Sequence, residues 1–408
     1  MKKVLLVNPL ISSQHLSDCL KTNSIYSIAL YTIDFIKVDE YFKPKPDLFD
    51  EQLYFPDSNF EEIIENLSDT EIDYVINGGD GVYCTKLTDL LSQYFTPQYA
   101  NSPESTEVRA DKIIMHEQLK KHNLSHINQF TISKKNYFNF IEQLKYPVFI
   151  KPRNGEGSIG AMSVDSSKDL IDYFENKEFT LNTGYDILEY IVAEKLDGEE
   201  YLIDTFSVNG EHYISTIQKY EKQVINGFPR YISFKVETNQ IKIEKISKYV
   251  IDVLNATEFK NGFAHIECFY TKSDEVVLVE INPRISGARG SCHKVAHYSG
   301  QQSQIDIMVS LIFGNLKNII FYDKFAIAIF LYNGGRNIML DLNKLPLDKY
   351  GVVSVVQFIP EGQFSSEFIS KVNDAAALMI LIADTEKELE ERTSLIQKMD
   401  DKSWEVML

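Results

Sequence analysis

The segment Glu280-Ile281-Asn282-Pro283-Arg284 closes the apolar run Val276-Val277-Leu278-Val279. Four consecutive apolar residues read as a buried strand. On a strand, Glu280 and Asn282 stand two apart and share a face. A second carboxylate, Glu267, lies upstream in Ala264-His265-Ile266-Glu267-Cys268. Two strands that each offer an oxygen to one face could hold a hard divalent cation. Mg²⁺ takes one or two protein carboxylates and completes its shell with water and nucleotide phosphates. Arg284 would then neutralise the charge of a transferring phosphate. Alone, Glu280 reads equally well as the polar end of a strand. Glu267, Asn282 and Arg284 beside it argue for chemistry.

His265 stands two residues from Glu267 and should share its face. It could contact substrate, orient Glu267, or be a satisfied structural histidine. Cys268 should point the other way, into the core. Ser286-Gly287-Ala288-Arg289-Gly290 reads as a loop whose amides, including that of Gly287, could hold a substrate carboxylate or an oxyanion. Arg289 either anchors a carboxylate or lies in solvent. His293 and His297 share a helix face, but a zinc pair lacks an evident third ligand.

Two lysines precede this block. Pro147-Val148-Phe149-Ile150-Lys151-Pro152 is a short apolar strand ending in lysine. Asn154-Gly155-Glu156-Gly157-Ser158-Ile159-Gly160 follows, and its glycines allow a mobile loop whose amides could wrap phosphate oxygens. The loop is neither a Walker A motif nor a dinucleotide-binding fingerprint, and an ordinary hairpin turn explains it as well. Lys112 stands in Arg109-Ala110-Asp111-Lys112-Ile113-Ile114-Met115, which begins an amphipathic helix. Taken by itself, it is a surface lysine.

The ordered series Asp111-Lys112, Lys151 with its glycine loop, Glu194 to Glu200, Glu267, then Glu280-Ile281-Asn282-Pro283-Arg284 resembles the ATP-grasp ligase superfamily. The resemblance implies an α/β ATP-grasp fold. Residues 1–105 would form an N-terminal open α/β domain (Rossmann-like, the preATP-grasp type). Residues 106–190 would form the small lid, and 191–408 the large half, with a C-terminal α+β subdomain from about 320. ATP would lie between the halves. Lys112 and Lys151, with Gly157 and Ser158 in the loop, would meet its phosphates. Glu194 and the backbone near Lys195 and Leu196 would meet adenine. Glu200, which directly precedes an aromatic residue, is preferred over Glu199 for the ribose. Glu267, Glu280 and Asn282 would hold Mg²⁺, with Mn²⁺ as a substitute. Arg284 would stabilise the phosphoryl group, and His265, Arg284, Gly287 and Arg289 would face the substrate.

The chain ends look most like the L-amino acid ligases, which form dipeptides. Met1-Lys2-Lys3-Val4-Leu5-Leu6-Val7-Asn8-Pro9-Leu10 resembles their first strand and loop, with Asn8 where an acid is frequent. Residues 351–362 resemble their carboxy-terminal strand and turn. The implied reaction joins a carboxylate to an amine through an acyl phosphate, releasing ADP and phosphate. Amino acids are the expected substrates, and a homodimer is one assembly the resemblance allows. Two rival readings stand: a ligase or carboxylase acting on a nucleotide or cofactor precursor, and a nucleotide-binding regulator without turnover.

The 408 residues exceed one ordinary core and suggest two to four domains or subdomains. A net charge of -18 argues against nucleic acid as a partner. No apolar run reaches the length of a bilayer span, so no membrane is expected. Scattered Cys19, Cys84, Cys268 and Cys292 suit reduced cytoplasmic thiols, and residues 1–10 read as a first strand. Strands are expected at 4–7, 27–31, 72–76, 201–207, 213–218, 325–332 and 352–358. Helices are expected at 87–94, 111–122, 169–174, 243–254 and 385–399, the last opened by a Thr385/Glu388 capping box. Asn77-Gly78-Gly79-Asp80-Gly81 reads as a tight turn, with phosphate binding as the weaker alternative.

Overall fold

The computed structural model describes residues 1–32, 44, 47–56, 59–153, 160–176, 187–225, 228–314, 322–335, 337–365 and 375–404. Gly157, Ser158 and the rest of the glycine loop before Gly160 lie outside the described residues.

The amino-terminal strands form a parallel sheet in the order Glu51–Tyr54, Tyr26–Tyr31, Lys3–Val7, Tyr74–Asn77. Its inner strands are buried on both faces, as parallel strands require. Leu5 and Val7 pack on Leu87 and Leu91 of the helix Gly81–Phe95. Val4 and Leu6 face the other way, in one core with Phe206 and Phe263 of the large sheet. The edge strand Glu51–Tyr54 is too polar to have been anticipated. Asn8 follows the first strand with a left-handed φ of 47°. Its Oδ1 accepts from Thr32 N at 2.8 Å and its Nδ2 donates to Thr32 Oγ1 at 2.9 Å. An amide serves there because it can donate and accept at once.

The helix expected to begin at Arg109 is two helices, Pro103–Ala110 and Lys112–Lys121. Asp111 between them is extended and caps the second, accepting from Ile113 N at 2.8 Å and Ile114 N at 3.3 Å. Side-chain caps of this kind satisfy the orphan amides of a first turn. Arg109 therefore belongs to the earlier helix, where it pairs with buried Asp89 at 2.7 Å.

A small antiparallel sheet runs Gln129–Ile132, Tyr190–Glu194, Val148–Pro152, Met162–Val164. The helix Ser167–Asn176 covers it through Leu170, Tyr173 and Phe174. The large sheet is antiparallel and eight-stranded: Val276–Asn282, Gly262–Thr271, Gly198–Val208, Glu211–Ile225, Phe228–Val236, Phe325–Leu331, Ala377–Ala383, Val352–Gln357. The helix Gln240–Ala256 packs Ile246, Val250, Val253 and Leu254 against one face, on Tyr201, Ile203, Ala264, Ile266 and Leu278.

The carboxy-terminal strands extend this same sheet. Ala377–Ala383 is wholly apolar and lies between two strands. Ala377, Met379 and Leu381 enter one core and Leu378 and Ile380 the other. The last helix is Glu386–Asp401. Thr385 caps it by accepting from Glu388 N at 3.2 Å. The Glu388 carboxylate, however, accepts from Asp384 N at 3.1 Å, so the expected box closes one residue early. Among the described residues, no helix is long and apolar enough to cross a membrane.

Candidate active site

Strand register brings the acidic residues together. Glu267 pairs directly with Glu280, and His265 with Asn282. On the next strand Glu267 pairs with Leu202, and His265 with Asp204. Cross-strand partners share a face, so Glu200, Asp204, His265, Glu267, Glu280 and Asn282 all lie on one side of the sheet. The opposite side holds Tyr201, Ile203, Ile266, Cys268 and Leu278 in the apolar core. One irregularity makes this possible. The register slips between Glu267 and Cys268, which pair with Glu280 and Leu278, leaving Val279 as an extra residue. This β-bulge lets Leu278 face the core and Glu280 the site although they stand two apart.

Glu280 Oε2 lies 3.1 Å from Lys112 Nζ, and its Oε1 accepts from Asn282 Nδ2 at 3.1 Å. Burial pushes its pKa up, but the Lys112 and Lys151 charges outweigh this and hold it well below the usual carboxylate range. Lys151 is lowered to about 8, first by burial and then by Lys112, with Glu280, Glu267 and Glu200 opposing. Two further residues tie the lysines together. Arg153 Nε and Nη2 donate to Asp111 Oδ2 at 3.0 and 2.5 Å. Asp111 thus caps the Lys112 helix with one oxygen and holds the Lys151 strand with the other. Two carboxylates on neighbouring strands, an amide and two lysines suit a divalent cation with bound phosphates. Among the described residues, no group of three or more His, Cys, Asp and Glu is placed to hold a metal ion.

The segment expected to meet adenine runs from the small sheet into the large one. Glu194 ends its strand and accepts from Asn128 N at 3.0 Å and Asn128 Nδ2 at 3.2 Å. Lys195 lies 3.6 Å from Asp165, and Leu196 packs beside Ile191, Ala193 and Val277. Glu199 and Glu200 point to opposite faces. Glu199 is bound by Lys219 at 2.8 Å and by Lys242, which lower it to about 2. Glu200 faces the acidic site and lies 2.5 Å from Lys222 Nζ. Burial raises its pKa, and the Glu267 charge adds to this while Lys222 opposes it.

Past the strand, Arg284 Nε pairs with Asp80, and Nη1 donates to Ile285 O at 2.9 Å. Asn77 Nδ2 donates to Pro283 O at 3.0 Å. The Asn77–Gly81 turn therefore docks on the end of the acidic strand. Gly287 sits close to Arg284: a Cβ there would meet Nη1 at 3.7 Å. In the loop after Arg284, Ser286 N donates to Gln304 Oε1 at 2.7 Å and Gly290 N to Gly287 O at 3.1 Å. Both amides are engaged internally. The Arg289 guanidinium lies 5.6 Å from the Phe358 ring centroid.

His265 Nδ1 is 2.7 Å from Asp204 Oδ1, and both are buried. His293 contacts Ser286 Oγ at 3.2 Å and stacks on His15 at 5.3 Å, while His297 lies 2.5 Å from Asp306. Asp80, Asp204, Arg153 and Lys222 escaped the sequence reading. Asp80 lay inside a recognised turn, but its partner is far away in sequence, so only the fold shows what it does.

Residues 144–293 match the ATP-grasp domain family. Dapdiamide A synthase of Enterobacter agglomerans is 26% identical over 238 residues, 57% of this chain and 55% of that protein. The L-arginine-specific L-amino acid ligase of Bacillus subtilis is 28% identical over 152 residues, 36% of each. The matched stretches thus span about half or less of these curated relatives. The L-amino acid ligase of Bacillus licheniformis shares the fold over 98% of this chain and 97% of its own, with a TM-score of 0.74 at 15% identity.

Proposed function

We propose that this chain, which carries an ATP-grasp domain and has the ATP-grasp fold, is a Mg-ATP-dependent carboxylate–amine ligase that joins two L-amino acids into a dipeptide. The observation that carries the reading is the Glu267–Glu280 pair on one sheet face, with Lys112 and Lys151 beside it. Glu267, Glu280 and Asn282 would hold the metal, Lys112 and Lys151 the phosphates, and Glu200 the ribose. ATP supplies the phosphoryl group that activates the carboxylate. The protein orients the reactants and offsets charge at the site of transfer. Arg284 stands at the end of the metal-binding strand and suits the acyl phosphate. Among the relatives, an L-arginine-specific L-amino acid ligase supports the choice of amino acids.

Phosphate release across the amino acids, singly and in pairs, tests this. ADP should accumulate only with the right pair, and the product mass should equal both substrates minus water. Formation of AMP and pyrophosphate would overturn the mechanism. ATP consumption with some other carboxylate and amine, and with no amino acid pair, would leave the ligase and remove the dipeptide.

A further inference from the structure

Lys222 reaches into the acidic face from the strand Glu211–Ile225. Its ammonium lies 2.5 Å from Glu200 Oε1 and 4.0 Å from Glu267 Oε2. It also sits over two rings, with Nζ 4.6 Å from the Tyr220 centroid and 4.9 Å from that of Tyr231. Only 16% of the side chain is exposed. Four adjacent strands thus place one cation against two carboxylates and two aromatic faces. Glu200 pairs with Phe269, two residues from Glu267, so the carboxylates are diagonal neighbours on one face. Like charges so placed repel in a partly dry site.

We infer that Lys222 is a positioning residue for the nucleotide, holding Glu200 so that its carboxylate accepts from the ribose hydroxyls while Glu267 stays committed to the metal. This rests on the ATP reading proposed above. The geometry gives the lysine its role. The ammonium binds Glu200 Oε1 and so fixes how the carboxylate is turned. The same ammonium lies 4.0 Å from Glu267 Oε2, so it stands between the ribose carboxylate and the metal carboxylate. The Tyr220 and Tyr231 rings hold the cation in place, since a cation over a π face is attracted by the ring quadrupole. Burial alone would lower the lysine pKa, yet Glu200 and Glu267 outweigh it and keep the ammonium charged.

The test is binding by titration calorimetry with Mg²⁺ and the full chain, comparing ADP with 2′,3′-dideoxy-ADP. The wild type should prefer ADP by about tenfold or more, the scale of a hydrogen bond to a charged group. Lys222→Met and Lys222→Gln should lose most of that preference, and Lys222→Arg should restore much of it. A folded Met or Gln variant that still prefers ADP as the wild type does would overturn the proposal. So would loss of the fold in both, which would make the lysine structural. Failure of the wild type to bind Mg-ADP would instead remove the ATP reading itself.

Discussion

Glu280 is the residue on which the proposed chemistry most depends. Its carboxylate is flanked by Lys112 and Asn282 and held ionised. Glu280→Gln keeps the shape and removes the charge. Activity in the amino acid assay should fall by about 100-fold or more, as when one transition-state contact is lost. The melting curve should be unchanged, and a rate within threefold of wild type would make Glu280 structural. Arg109 is the opposite case, a charge placed for stability. Its partner Asp89 also accepts from Thr106 Oγ1 at 2.7 Å and Asn101 Nδ2 at 3.0 Å. Arg109→Met would leave Asp89 charged and buried, so unfolding in urea should show a loss of about 3–5 kcal/mol. A loss below about 1 kcal/mol, typical of an exposed pair, would show that water already reaches the site. That Glu280 and Asn282 share a face could be read from the sequence, because strand period sets it. Lys222 and Asp80 could not, because only strand order and domain docking bring them to their partners.

At the scale of elements, the bulge at Val279 absorbs one extra residue while Glu280 stays opposite Glu267. Deleting Val279 would leave Leu278 opposite Cys268 and Glu280 opposite Glu267 in an unbroken ladder, so Glu280 and Asn282 would keep their face. The deletion variant should therefore still bind Mg-ADP in calorimetry. Loss of binding with the fold intact would mean that the bulge itself sets the reach of Glu280. No sequence signal marks this bulge, since Val279 looks like its apolar neighbours. The interface between helices Gln14–Thr22 and Ser291–Tyr298 makes a second prediction. Burial first, then neighbouring histidines, lowers His15 to about 4 and His293 to about 3. Their unfolded values lie near about 6.5. A depressed folded pKa gives stability that is full above the unfolded value and is lost as pH falls. The melting temperature should therefore drop as pH goes from 7.5 to 5.5, and His15→Phe should flatten that slope. An unchanged slope would assign the acid sensitivity elsewhere.

Across the whole molecule, the three sheets are joined unequally. The parallel sheet shares a core with the large sheet, through Val4, Leu6, Tyr74, Phe206 and Phe263. Polar ties reinforce it: Asn101 Oδ1 accepts from Lys260 N and Asn261 N at 2.9 and 3.0 Å, and Ser105 Oγ donates to Thr257 O at 2.9 Å. The small sheet keeps a core largely its own, in which Phe228 is the buried residue from the large sheet. Amide exchange should thus show strands 148–152 and 190–194 opening together at lower free energy than strands 3–7 and 203–207. Equal protection in both would mean that the chain opens only as one unit. The residues that make this contrast lie far apart in sequence, so composition and periodicity gave no hint of it. Asn101 carries a consequence for modular engineering. A replacement amino-terminal unit must bring an amide to the same spot, or the Asn261 carbonyl and two backbone amides are left buried without partners. New substrate loops are thus easier to graft onto this unit than to import with a foreign one.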